Sequence, residues 1–320
     1  MARIVSECYP RYGIRAIIKA DLPRQIRLAF RQVTIMIAGR KAMTTMSVAE
    51  YARDCAAQGL RGDYSVCRAD FTVAQGYDYS AEEQAVWRTL CNRQTKLTRK
   101  LAHHSYLDGV EKLGLLDRIP DFEDVSAKLR KLTGWEIVAV PGLIPAAPFF
   151  DHLANRRFPV TNWLRSRQEL DYIVEPDMFH DFFGHVPVLS QPVFADFMQM
   201  YGKKAGDIIA LGGDEMITRL YWYTAEYGLM QEAGQPLKAF GAGLMSSFTE
   251  LQFAVESKDA HHVPFDLETV MRTGYEIDKF QRAYFVLSSF DALRDAFRTA
   301  DFEAIVARRK GQPALDPATV

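Results

Sequence analysis

Apolar residues return at helical spacing along most of the chain. Val86, Leu90, Leu97 and Leu101 form one stripe behind Ser80-x-x-Glu83, the spacing of a capping box, and predict a long helix opening at Ser80. A shorter helix is expected over 106–114, stopped near Gly114. Pro120 opens another, with Phe122, Val125, Leu129 and Leu132 on one face and Gly134 ending it. The run WEIVAV at 135–140 reads as a strand, broken by Pro141 and Gly142. A helix near 147–155 and an extended piece at 158–163 follow. From 170 onward helices are predicted over 176–185, 191–201, 214–231, 266–273 and 288–308, with short extended segments at 240–247 and 283–287. The class is mainly α with a small β element.

This pattern is absent from the start of the chain. Residues 46–79 carry Gly59, Gly62 and Gly76 and little periodicity, and are expected to be a loosely ordered lead-in. Residues 1–45 hold nine basic side chains against Glu7 and Asp21, a net +7, which leaves −8 on the remainder. An arginine-rich, acid-poor start is the composition of an organelle transit peptide. Serine is sparse, however, and Pro10 and Pro23 interrupt a long amphipathic helix, so a poorly ordered upstream extension is the plainer reading. The expected organisation is a basic extension (1–45), a lead-in (46–75), one catalytic-size domain (76–310) and a tail (311–320).

Overall charge is −1 in 320 residues, which gives no electrostatic basis for binding nucleic acid or an anionic membrane. The apolar runs fall short of the roughly 20 residues needed for a bilayer crossing. Cys8, Cys55, Cys67 and Cys91 form no CxxC pair, and none lies beyond residue 91, so neither a zinc framework nor a disulfide scaffold is expected. A cytoplasmic setting follows.

Candidate chemistry lies in PDMFHDFFGHVP. His180 and His185 are five residues apart. In a straight α-helix five residues turn through about 500°, leaving the side chains about 140° apart. The pair is therefore accidental, or the helix ends between them. Gly184 and Pro187 favour an ending there. Glu226 sits among apolar and aromatic residues in LYWYTAEYGLM, where a bare carboxylate is costly. It is either a core-edge partner of an arginine such as Arg219 or a third ligand. Two histidines and one carboxylate are the facial donor set of non-haem Fe(II), which leaves positions open for dioxygen and a co-substrate.

The segments PDMFHDFFGHVPVL, LYWYTAEYGL and GAGLMSSFTELQF resemble the signatures of the pterin-dependent aromatic amino acid hydroxylases, most nearly the compact bacterial phenylalanine 4-hydroxylases. The resemblance runs in order from about Asp70 to about Arg298 and includes YSAEEQAVWRTL, IPDFEDVSAKLRKLTGW, VPGLIPAAPFFDHLANRRFPV and ELDYIVEPD. It implies that family's catalytic-domain fold, and His180, His185 and Glu226 as iron ligands. It also implies that Arg165 binds the amino acid carboxylate, that Ser246 holds the substrate's polar end, and that Pro176 and Trp222 wall the aromatic pocket. Phe149 would stack on the pterin, the backbone at Leu143 and Ile144 would bond its edge, and Asp181 would lie near it. Glu250 would orient a ligand histidine. Ile173 departs from the family, standing where animal members place a hydroxyl. The implied reaction is a mixed-function oxidation of L-phenylalanine to L-tyrosine by O2, with Fe(II) and a tetrahydropterin co-substrate. The alternatives are the same chemistry on tryptophan or tyrosine, and a non-enzymatic helical scaffold that binds zinc. Animal relatives are tied into tetramers by a long C-terminal helix. Phe302, Ile305 and Val306 before Gly311, Pro313 and Pro317 are too few for such a seam, so a monomer is expected.

Overall fold

The computed structural model describes residues 47–75, 78–171, 173, 175–277 and 279–320. The basic segment 1–45 lies outside them. Among the described residues the α-helices are α1 (Val48–Gln58), α2 (Ala81–Leu101), α3 (His104–Leu113), α4 (Phe122–Thr133), α5 (Ala146–Ala154), α6 (Pro192–Ala210), α7 (Asp214–Tyr221), α8 (Ala242–Ser246), α9 (Glu250–Glu256), α10 (Leu267–Arg272), α11 (Phe290–Thr299) and α12 (Phe302–Arg309). The strands are β1 (Glu136–Val140), β2 (Arg157–Thr161), β3 (Leu229–Met230), β4 (Lys238–Ala239), β5 (His262–Pro264) and β6 (Tyr284–Leu287).

Local chemistry sets the helix ends. The predicted capping box is present at α2, where Ser80 Oγ accepts from Glu83 N and the Glu83 carboxylate accepts from Ser80 N. Asp121 rather than Pro120 caps α4, accepting from Glu123 N and Asp124 N. Gly134 ends that helix in the left-handed region at φ 75°. β1 and β2 pair in parallel, with Glu136 opposite Arg157. The second sheet has the order β4-β3-β6-β5, with only the β3–β4 pair antiparallel. Helix α6 runs through the main core and buries Phe194, Phe197, Met198, Tyr201, Ala205 and Ile208.

Several expectations are corrected. The described part of the lead-in, residues 47–75, is ordered. Ser47 and Glu50 form a capping box, Gly59 closes α1 at φ 72°, and the helix buries Tyr51 and Cys55 with Val48 and Ala52 packed beside them. Val48, Tyr51, Ala52 and Cys55 do return at helical spacing, but the stripe spans only two turns and half of it is small side chains. Tyr51 and Cys55 join Tyr64 and Phe71 in a separate small core, against which Leu143 and Ile144 pack. The segment 240–247, expected to be extended, is the short helix α8. The expected helix 288–308 is two helices, parted where Asp301 caps α12 through Ala304 N. The tail is tied down as well: Gly274 N donates to Leu315 O and Leu315 N to Arg272 O.

Candidate active site

Two π-helical turns build the candidate metal centre. Residues His180–His185 form one and Trp222–Glu226 the other. The expectation that the helix ends between the histidines is corrected: the backbone stays helical and widens. Val186 N donates to Asp181 O and Tyr227 N to Trp222 O, each five residues back. In such a turn residues five apart stack on one face, so both imidazoles point to one place. Tyr106 Oη donates to Phe183 O at 2.7 Å and supports the first turn from α3.

Glycine lets these turns touch their neighbours. A Cβ on Gly184 would lie 2.9 Å from Ala242 O, so α8 packs directly on the His180–His185 turn. A Cβ on Gly241 would lie 2.4 Å from Glu226 O, which holds the start of α8 against the second turn.

The donor atoms converge. His180 Nε2 and His185 Nε2 are 3.2 Å apart, His185 Nε2 lies 3.0 Å from Glu226 Oε1, and His180 Nε2 lies 3.5 Å from Glu226 Oε2. Burial and the neighbouring His185 push His180 down to about 4 despite Glu226, so its imidazole is neutral at ordinary pH and its lone pair is available. Burial opposes charge on His185 too, but the Glu226 carboxylate overrides it and holds His185 above the usual imidazole range. Burial likewise raises Glu226, and the two imidazoles more than reverse this, leaving it low. The alternative partner for Glu226 is excluded, because Arg219 pairs with Glu215 one turn back. Two neutralisable imidazoles and one half-buried carboxylate at these separations fit a divalent iron ion.

Arg165 is buried beside this centre. Asp177, fully buried, takes its Nε and Nη2 at 2.8 Å each and also accepts from Arg165 N at 2.9 Å. The other Asp177 oxygen accepts from His180 N at 3.1 Å. Asp177 thus ties the arginine to the first metal-facing histidine. Sequence reasoning did not single it out, although an acid three residues before His180 is the spacing of a side chain that caps the turn's free N–H groups.

Ser246 Oγ lies 2.8 Å from His180 Nδ1 and fixes that ring. The described hydrogen bonds of Glu250 come from Gln281 N and Tyr284 Oη, while the partner of His180 Nδ1 is Ser246. Asp181 accepts from Thr161 N at 2.7 Å, and burial raises it to about 7. Trp222 donates to Gln281 Oε1 and stacks on Tyr275 with ring centroids 4.3 Å apart. Phe149 is half-buried and meets Tyr221 edge-on at 5.7 Å, and Tyr221 in turn lies 6.0 Å from the His185 ring. Leu143 O accepts from Tyr51 Oη of α1, so the lead-in helix holds the 143–144 segment. Pro176 and Ile173 are half-buried.

Residues 71–310 match the model of the biopterin-dependent aromatic amino acid hydroxylases. The chain is 96% identical over 275 residues to a phenylalanine-4-hydroxylase of Mesorhizobium japonicum, covering 86% of this chain and all of the relative. It is 51% identical over 229 residues to that of Chromobacterium violaceum, covering 71% of this chain and 77% of the relative. Among solved structures it is similar to an iron- and phenylalanine-bound phenylalanine hydroxylase of C. violaceum, with TM-score 0.74 and 47% identity over 78% of this chain and 91% of the other. A cobalt-bound form of the same enzyme superposes with TM-score 0.76. The match spans both π-helical turns and all three converging donors, and the chain belongs to the biopterin-dependent aromatic amino acid hydroxylases.

Proposed function

We propose that this chain is a phenylalanine 4-monooxygenase that converts L-phenylalanine to L-tyrosine, with Fe(II) held by His180, His185 and Glu226. The observation that carries the reading is the convergence of those three donors, all within 4.8 Å, in a chain 96% identical to a phenylalanine-4-hydroxylase. When bound, Fe(II) and the tetrahydropterin supply the activation of O2, one oxygen atom going to the ring and the other to the pterin.

The protein's own groups set the geometry. Asp177 uses one edge of the Arg165 guanidinium, and the remaining Nη1–H and Nη2–H edge is a second fork suited to the substrate carboxylate. Ser246 keeps the His180 ring turned so that Nε2 faces the metal. Trp222, locked by Gln281 and Tyr275, and Pro176 wall the substrate ring. Phe149, with the Leu143 and Ile144 backbone, seats the pterin, and Asp181 lies within its reach. Ile173 offers no hydroxyl, so the amino acid's polar end rests on Arg165 and its neighbours.

Catalysis belongs to residues 76–310 with the lead-in packed on them, and the enzyme is a cytoplasmic monomer. Cys55, Cys67 and Cys91 are free thiols, as a reducing compartment allows. Among the described residues no helix is long and apolar enough to cross a membrane. Helix α12 turns Phe302, Ile305 and Val306 into its own core instead of presenting a seam. The test is product analysis with Fe(II), a tetrahydropterin and each aromatic amino acid in turn. Tyrosine formed fastest from phenylalanine is expected. Preferred turnover of tryptophan or tyrosine would reassign the substrate, and no turnover with iron bound would remove the reading.

A further inference from the structure

A second group of metal-ligating side chains lies outside the iron centre and shares no residue with it. His103, His104 and Glu232 each bring one donor atom within 4.8 Å of the others. His103 caps the N-terminus of α3, and its backbone N donates to Ala239 O of β4. Glu232 lies in the turn between β3 and β4, six residues past Glu226.

The imidazole of His103 carries the argument. The residue is 5% exposed, and its Nε2 is buried without a hydrogen-bond partner. Glu232 Oε1 is the nearest carboxylate oxygen, at 3.6 Å, too far for a hydrogen bond. A buried ring nitrogen aimed at a carboxylate it does not reach is an unmet valence. Nδ1, in contrast, accepts from Ser105 N at 3.4 Å and lies 2.6 Å from Ser105 Oγ. A cation on Nε2 would move the ring proton to Nδ1, where Ser105 Oγ can accept it in place of the cap, the arrangement of metal-ligating histidines. The exposed ring of His104 lies with its centroid 4.1 Å from that of His103. The Glu232 and Asp108 carboxylates supply negative charge nearby.

We propose that His103, His104 and Glu232 form a second site, for a borderline divalent cation of the zinc class, with water completing its shell. Two imidazoles and one carboxylate select that class over magnesium or calcium, which prefer all-oxygen shells. A cation there joins the α2–α3 junction to the β3–β4 turn that follows the Glu226 turn.

The test is anaerobic titration of the iron-loaded enzyme with Zn2+, with zinc and iron both quantified after gel filtration. One zinc per chain is expected in addition to retained iron. His104→Ala and Glu232→Gln should each weaken zinc binding at least tenfold while iron content and turnover hold. Zinc that enters only as iron leaves, no zinc retained beside full iron, or an affinity unchanged in both variants would each overturn the site. These outcomes are read from metal content, so they stand apart from whether the iron centre hydroxylates phenylalanine.

Discussion

Asp177→Asn removes the charge that holds Arg165. Asp177 accepts four hydrogen bonds, from Arg165 N, Nε and Nη2 and from His180 N. Burial works against its charge, yet Arg165 more than compensates and keeps the carboxyl below the usual range. Asparagine keeps one acceptor oxygen and sets an amide N–H₂ against guanidinium donors. Breaking a buried pair while one charge stays costs about 3–5 kcal/mol. At roughly 2–4 °C per kcal/mol for a domain of this size, the melting temperature should fall by roughly 6–20 °C. The same change loosens the free edge of Arg165, so KM for phenylalanine should rise, by roughly 10- to 150-fold if one charged hydrogen bond of about 1.5–3 kcal/mol is lost. The assays are thermal and urea denaturation followed by circular dichroism, and steady-state kinetics at saturating pterin. A cycle with Arg165→Met separates the pair from its surroundings, because the double variant leaves no lone buried charge and should be less destabilised than the two single losses summed. An Asp177→Asn protein within 1 kcal/mol of wild type, with unchanged KM, would refute the reasoning.

His185→Ala should abolish iron binding and turnover while far-ultraviolet circular dichroism stays native; normal iron content would remove His185 from the centre. Burial raises Glu250 from 4.5 to about 7, against the hydrogen bonds from Gln281 and Tyr284. The folded state therefore holds a proton that the unfolded state has released, and stability falls on the order of 3 kcal/mol as pH rises from about 4.5 to 7. Glu250→Gln should flatten that slope and stabilise the protein at pH 8, as read by urea midpoints across the range. Removing residues 1–45 leaves every described contact in place and should preserve activity. Removing everything before residue 77 strips Tyr51, Cys55, Tyr64 and Phe71 from beneath Leu143 and Ile144 and should raise KM for the pterin or yield insoluble protein, and full activity in that truncation would show the small core to be dispensable. Light scattering during gel filtration should give the mass of one chain, and a stable tetramer would reveal an interface that α12 does not provide.

What the sequence alone determined is local chemistry. The Ser80–Glu83 cap, the Gly134 stop and the WEIVAV strand were legible because each is settled by residues within one turn of one another. The three converging donors were legible from the residues as one of two readings, and the resemblance of the segments that carry them singled it out. How the histidine pair converges was not legible. A π-helical turn and an α-helix share one apolar pattern, and only the packing of Gly184 against Ala242 and the support of Tyr106 select the wider one. Asp177 reads as an ordinary acid until the fold brings Arg165, twelve residues earlier, onto its carboxylate. Ser246 and Glu250 lie four residues apart in one signature, and tertiary distance alone assigns His180 to the first and Tyr284 to the second. Helix α1 is short, and its inward side chains acquire a core only when Tyr64, Phe71 and Leu143 arrive from elsewhere in the chain. Short-range hydrogen bonding is written along a sequence, whereas burial and close approach depend on partners far along it, which only the folded chain supplies.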